Sequence, residues 1–327
     1  MARGMRNLSL RNRAGLAPAS GTSGGCTRLV DSKLLGTVVL ALLLSASALS
    51  ARVVTDQTGR RVNLPDHPRR LVSIAPSVTE TLYALGLADR LVGDTDYCDY
   101  PPQARAVPHV GAMLSPNLEK IVALKPDLVL GTDEANRRVT ADQLEHLGIP
   151  LYGVTAHTVE GTIQSLEDLG RVLDWDQPTQ KLVASLRARV AAVDKQVQGQ
   201  PRLKVLFVVW YHPLITAGSQ TFISNVIQRA GGVSISDDLK MEWPHMGLEN
   251  VLNRAPDVIL FPQTDAFAPG LDEFQKLPGW RDLAAVKNHR IYIVSETIMR
   301  PSPRLIDALE ELANILHPVA RQQSKTP

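Results

Sequence analysis

Short apolar runs alternate with stretches of helical periodicity through most of the chain. Residues 71–75 (LVSIA) have the length and apolar content of a strand covered on both faces. Ser77-Val78-Thr79-Glu80 has the spacing of a capping box, which predicts a helix running to Gly86. A short strand at 91–93 follows, then a loop rich in Asp, Tyr and Pro as far as Pro102. Residues 117–124 read as a short helix broken by Pro126, with a strand at 128–130. A helix over 138–147 and a strand over 149–154 complete the first half. In the second half, 205–210 is a strongly apolar strand and 221–230 a helix stopped by Gly231-Gly232. A strand over 291–294 is followed by a last helix, with Ser302 as its cap, Pro303 in its first position, and Leu305, Leu309, Leu312 and Leu316 on its buried face. Strands and helices that alternate in this way imply parallel sheets covered by helices.

Residues 178–199 break the alternation. Leu182, Leu186, Val190, Val193 and Val197 form one continuous helical stripe. At 1.5 Å per residue the helix would be roughly 33 Å long, enough for a stiff strut between two domains.

Residues 117–130 (NLEKIVALKPDLVL) and 247–260 (GLENVLNRAPDVIL) share Leu, Glu, Pro and Asp at an offset of 130 residues. Each copy reads helix, Pro-Asp turn, buried strand. The flanks agree in character and order, LEHLGIPLYGV at 144–154 against LAAVKNHRIYIV at 283–294. Such a duplication implies two related α/β lobes with a cleft between them, and domain interfaces are favoured ligand sites.

Residues 71–87 (LVSIAPSVTETLYALGL), 97–102 (YCDYPP), the NLEKIVALKPDLVL segment and WPHMGLENVL at 243–252 resemble the helical-backbone substrate-binding proteins of ABC importers. The likeness spans about residues 68–318 and is to the cobalamin-binding branch; other branches carry ferric siderophores, haem or metal ions. The resemblance implies an α/β fold of two Rossmann-like lobes with parallel sheets, joined by one long rigid interdomain helix. It divides the chain into a signal segment (1–51), a first lobe (68–157), a linker with the backbone helix (158–200), a second lobe (201–318) and a polar tail (319–327). It also implies a monomeric receptor and a membrane permease as partner, whose arginines would meet one exposed glutamate per lobe. Glu119 and Glu249 match those positions. A second reading stands beside this one: a glutamate in a helix's first turn suits the macrodipole without any partner, and duplication alone would place it twice. By the same resemblance the ligand is lined by Tyr97, Met113, Trp210, Tyr211, Trp243 and Arg300. Aromatic side chains suit a large, flat or corrin-like ligand. Met113 stands where that branch can carry an aromatic residue. Trp210 also reads as a core residue ending a buried strand.

Lys33, the apolar run 34–44 and the small residues 45–48 have the pattern of an export signal, with Ala46-Ser47-Ala48 or Ala48-Leu49-Ser50 as the cleavage site. The run is shorter than the roughly 20 residues of a membrane span. The Gly/Ser-rich stretch before Asp31 is longer than a signal needs, and reads as an extended leader or an early start site. No cysteine stands at the cleavage site, so no lipid anchor is expected there. Cleavage removes Cys26 and leaves Cys98 alone, a packed thiol with no internal disulfide. The segment 1–51 carries six basic residues and one acid, so the remainder is mildly acidic and lacks the cationic clusters of a nucleic-acid protein.

Other chemistry is weaker. His109, His212 and His245 lie on loops but in no compact metal motif. A haem receptor could use Tyr97 or a histidine axially. Asp94, Asp96 and Asp99 lack the glycine and terminal glutamate of a calcium loop, and read as a solvated loop. No P-loop, G-x-G-x-x-G or H-E-x-x-H pattern occurs. The G-x-S-x-G match at 21–25 precedes the signal and follows no strand, so it is no nucleophile elbow. A secreted α/β enzyme is therefore the poorer reading; neither catalytic residues, a cofactor nor a bound metal is expected.

Overall fold

A computed structural model describes residues 51–133, 138–263 and 276–318. The expected export signal and the polar tail lie outside the described residues, apart from Ala51.

The first described element is a hairpin, in which β1 (Ala51–Thr55) pairs antiparallel with β2 (Arg61–Pro65). Val62 and Leu64 are buried while Arg61 and Asn63 face water, the period of a strand with one wet side. The first lobe continues through β3 (Leu71–Ser73), α1 (Pro76–Ala84), β4 (Leu91–Gly93), the two-residue strands β5 (Gly111–Ala112) and β6 (Ser115–Pro116), α2 (Leu118–Ala123), β7 (Leu128–Thr132), α3 (Arg138–His146) and β8 (Leu151–Val154). Its sheet is parallel, in the order β4-β3-β7-β8. The hairpin closes the β8 edge: Asp56 accepts from Gly153 N–H at 3.1 Å, and Arg60 donates to the Leu151 carbonyl at 3.1 Å. That removes unpaired backbone groups which would otherwise recruit another strand.

Two helices, α4 (Val159–Val172) and α5 (Asp176–Val197), lead to the second lobe. That lobe comprises β9 (Leu203–Tyr211), β10 (Leu214–Thr216), α6 (Phe222–Arg229), β11 (Gly232–Ser234), α7 (Leu248–Arg254), β12 (Val258–Pro262), α8 (Ala284–Lys287), β13 (Ile291–Val294) and α9 (Leu305–Leu316). Its parallel strands run β11-β9-β12-β13, with β10 folded back antiparallel on the end of β9. In both lobes the first core strand lies second in the sheet, beside the third. The expected fold class is the one observed.

The duplicated segment has a physical explanation. Lys125 and Ala255, one per copy, both adopt the left-handed conformation (φ 48° and 47°) before the repeated proline. The following aspartate anchors the neighbouring strand. Asp127 accepts from the N–H groups of Arg69 and Arg70 at 2.8 Å each, and Asp257 from that of Lys204 at 2.8 Å. Arg70 donates to the Leu124 and Lys125 carbonyls, and Lys204 to the Arg254 carbonyl, so each preceding helix has its end capped by the same strand.

Helix α5 has 22 residues. Thr179, Val183, Leu186, Val190 and Val193 are buried, while Leu182 and Val197 are only partly so, because the stripe rotates around the helix at 3.6 residues per turn. Leu182 touches the cores of both lobes. Arg187 pairs with Glu160 and Glu167 of α4, and Arg189 with Asp307 and Glu310 of α9. Exposed pairs contribute at most about 1 kcal/mol each, so the apolar stripe carries the attachment and the ion pairs fix its register. A Cβ on Gly170 would lie 2.5 Å from the Thr179 hydroxyl oxygen, which is why α4 and α5 approach so closely.

Two local expectations are corrected. Helix α1 starts at Pro76, with Ala75 as a cap that makes no side-chain bond, so Ser77 and Glu80 form no capping box. Helix α9 starts at Leu305 rather than at Pro303, with Ser302 held in the turn before it.

Candidate functional site

In parallel sheets, ligands gather beyond the carboxyl ends of the strands, where loops are free to vary. On the first lobe that end carries the loop after β4. Asp94 supports it from beneath, with its Oδ1 at 2.6 Å from His109 Nδ1. Burial pushes the Asp94 carboxyl up to about 6, against the pull of His109; its second oxygen is buried without a hydrogen-bond partner. The backbone bonds Asp94–Pro108, Val110–Asp94 and Asp96–Gly111 then tie this loop to the β5–β6 turn. The turn carries Met113, half-buried against the core of the lobe, and the loop carries Tyr97, 59% exposed. Cys98 is free and buried, within hydrogen-bond range of the Thr79 and Thr95 hydroxyls, and burial pushes its thiol up. The expectation of a solvated Asp94, Asp96 and Asp99 is thus corrected in part: Asp94 is fully buried, while Asp96 faces water and Asp99 is partly exposed and paired with Arg300.

On the second lobe Trp210 and Tyr211 end β9, opposite Ile215 and Leu214 of β10. The segment 242–246 joins as a third row. Pro244 accepts from Thr216, Glu242 from Gly218, and Met246 donates to Leu214, with His245 bridged to Ile215. Trp210 and Trp243 therefore stand on one small antiparallel ladder, 43% and 37% exposed. Trp210 Nε1 donates to the His212 carbonyl at 2.9 Å, and Tyr211 packs against the lobe's core.

Arg300, in the loop after β13, joins the two lobes. Its Nη1 donates to Asp99 at 2.7 Å and Glu80 at 2.8 Å. Burial pulls the guanidinium down, but these carboxylates outweigh it and hold the group above the ordinary arginine value. Asp99 is correspondingly held below the usual carboxylate range: burial raises it, and Arg300 more than compensates. Sequence reasoning missed Glu80, Tyr100 and Arg304 at this junction. The signal for Glu80 was present but read as a cap.

Glu119 and Glu249 lie in the first turns of α2 and α7, both exposed. Residues 118–125 and 248–255 repeat the same sequence of buried, half-buried and exposed positions, residue for residue. Among the described residues no group of three or more His, Cys, Asp or Glu side chains is placed to hold a metal ion. No helix among them is long and apolar enough to cross a membrane.

Two matched α/β lobes, one connecting helix and aromatic side chains at the carboxyl ends of the strands define a two-lobed solute-binding protein. The profile of the family described as "Periplasmic binding protein" matches residues 71–297, and the chain belongs to that family, whose members bind solutes and are not enzymes. The chain is 31% identical over 261 residues to the vitamin B12-binding protein of Vibrio cholerae serotype O1, covering 79% of this chain and 92% of that one. Its fold is similar to that of the periplasmic vitamin B12 binding protein BtuF of Vibrio cholerae (TM-score 0.69, 30% identity, 76% of this chain and 96% of that one). It is also similar to the periplasmic heme-binding protein RhuT from Roseiflexus sp. (TM-score 0.69, 27% identity, 76% and 98%).

Proposed function

We propose that this protein is the exported, monomeric receptor of an ABC importer, and that it captures cobalamin or a similar corrinoid between its lobes. Tyr97, Met113, Trp210, Tyr211, Trp243 and Arg300 line the ligand, and Glu119 and Glu249 dock on the permease. The observation that carries the reading is where the exposed aromatic residues stand. Tyr97, Tyr100, Trp210 and Trp243 are all well exposed, and all sit on loops or strand ends at the carboxyl side of the sheets. Apart from Tyr100, whose ring is covered by Arg304, these aromatic side chains are suited to covering a broad ligand, because each buries about 150–250 Å² at low entropic cost. The likeness to vitamin B12-binding proteins supports the choice of cargo.

Haem is the second reading. It is favoured by the likeness to a heme-binding protein and by Tyr97, an exposed phenol of the kind that ligates haem iron. Titration of the mature protein with cyanocobalamin, hemin, a ferric hydroxamate and divalent metals, read by tryptophan fluorescence, separates the two. Saturable quenching by cyanocobalamin is expected. Tight binding of hemin or the ferric hydroxamate with none of cobalamin would overturn the assignment.

A further inference from the structure

Glu80 belongs to α1 of the first lobe, yet its three side-chain partners all come from the second. Oε1 accepts from Arg300 Nη1 at 2.8 Å and from Arg304 Nη1 at 3.2 Å, and Oε2 accepts from Ser302 Oγ at 2.6 Å. Glu80 and Ser302 are both buried. One carboxylate thus fixes three residues within a five-residue loop of the opposite lobe. That loop in turn grips the segment carrying Tyr97 at two points. Arg300 reaches Asp99 at 2.7 Å, and the Arg304 guanidinium lies over the Tyr100 ring, 3.5 Å from its centroid. The two guanidinium groups thus meet the buried carboxylate of Glu80 and the partly exposed one of Asp99, with Glu296 at 4.0 Å from Arg300, so the buried charge of Glu80 is compensated.

The junction does more than hold the lobes together. On the proposed function Arg300 and the exposed Tyr97 face the ligand, while Glu80 is buried. We propose that Glu80 is a positioning residue for ligand capture: it sets where Arg300 and the Tyr97 segment stand and how far apart the lobes are held. This inference rests on the inter-lobe cleft being the ligand site.

The test uses Glu80→Gln, which keeps the size and one acceptor but removes the charge. Spin labels at Leu147→Cys and Leu252→Cys, exposed positions on the two lobes, report the inter-lobe distance distribution without ligand. Stopped-flow fluorescence reports release of cyanocobalamin. Glu80→Gln is expected to broaden or shift the distribution and to speed release by about tenfold or more, since removing one partner of a buried charge pair acts on dissociation. Ser302→Ala deletes one uncharged bond and should speed release about threefold, which keeps the inference testable if the first variant does not fold. A purely structural role would lower the melting temperature while leaving the spacing and release rate of the folded protein at wild-type values. Wild-type spacing, or wild-type release despite altered spacing, overturns the proposal. If the unmodified protein does not bind cyanocobalamin, the ligand reading fails, and the spacing alone decides the role of Glu80.

Discussion

Gly218 packs directly against the backbone of the second lobe's ladder. Its N–H donates to Glu242 at 2.9 Å, and the next residue, Ser219, donates to the Leu239 carbonyl at 3.1 Å. A Cβ at 218 would lie 1.9 Å from the Met241 carbonyl oxygen and 2.9 Å from that of Leu239. Both obstacles are backbone, so no side chain can rotate away; the 239–243 segment must move by more than an ångström. Overpacking of this kind costs about 3 kcal/mol. For a chain of this size that lowers the melting temperature by about 5 °C. The segment that moves carries Trp243, so on the proposed function cobalamin affinity should fall by about 30-fold as that aromatic side chain leaves its place. Gly247→Ala is the matched control: its nearest neighbour, Asn250 Nδ2, is 3.9 Å away, and alanine for glycine at a helix cap costs only about 0.5 kcal/mol. Differential scanning fluorimetry and fluorescence titration of the two variants decide the matter. A Gly218→Ala protein as stable and as tightly binding as Gly247→Ala would refute the reasoning.

Further expectations concern charge. The folded-state value of Asp94 lies above its unfolded one, so the folded protein holds a proton that the unfolded chain has released as pH rises from about 4 to 6. Stability conferred by the protonated form is therefore lost over that window. His109 and Asp96 face the same carboxylate, and Tyr83 and Cys98 lie near it. Against Asp94→Asn, wild type should lose about 2–3 kcal/mol between pH 4 and pH 7 in urea titrations; a difference independent of pH refutes this. Asp127→Ala and Asp257→Ala should each cost about 1–2 kcal/mol by the same method, with Asp127 the larger because it holds two N–H groups against one. Glu119→Ala combined with Glu249→Ala should abolish uptake in whole cells while ligand affinity in solution stays at wild type. Weakened affinity would place them in the cleft instead.

Much of the framework was legible because it follows from local rules. Apolar runs marked the core strands, and the strand at Ile291–Val294 is observed at the expected residues. Helices were found within one or two residues where a polar cap was present, as with Thr221, whose hydroxyl accepts from Ser224 N–H. Failures came where a side chain serves a distant partner. The Ser-x-x-Glu spacing at Ser77 satisfies a local rule, but Glu80 is bonded to residues more than 200 positions away. The β1–β2 hairpin was not legible, because the residues before 71, with Gly59, Pro65 and Pro68, show no strand pattern until Val62 and Leu64 are seen buried against the first lobe's core. Asp94 was read as solvated for the same reason, since only the fold brings His109 beneath it.

The duplication explains why the fold was easier to read than the site. Features shared by the two copies serve the architecture: the left-handed residue before proline, the aspartate that holds the adjoining strand, and the basic residue that caps the preceding helix. The residues proposed to line the ligand lie where the copies differ. The first lobe has the Asp94–Tyr100 loop braced by the β5–β6 turn, and the second has the Trp210–Trp243 ladder folded from β10. A repeated sequence thus marks what both halves need in order to fold. Ligand selectivity, on this view, belongs to the unrepeated segments, and exchanging the ladder residues 210–216 and 241–246 should change the cargo while leaving both sheets intact. Loss of folding on such an exchange would show that the ladder is part of the framework after all.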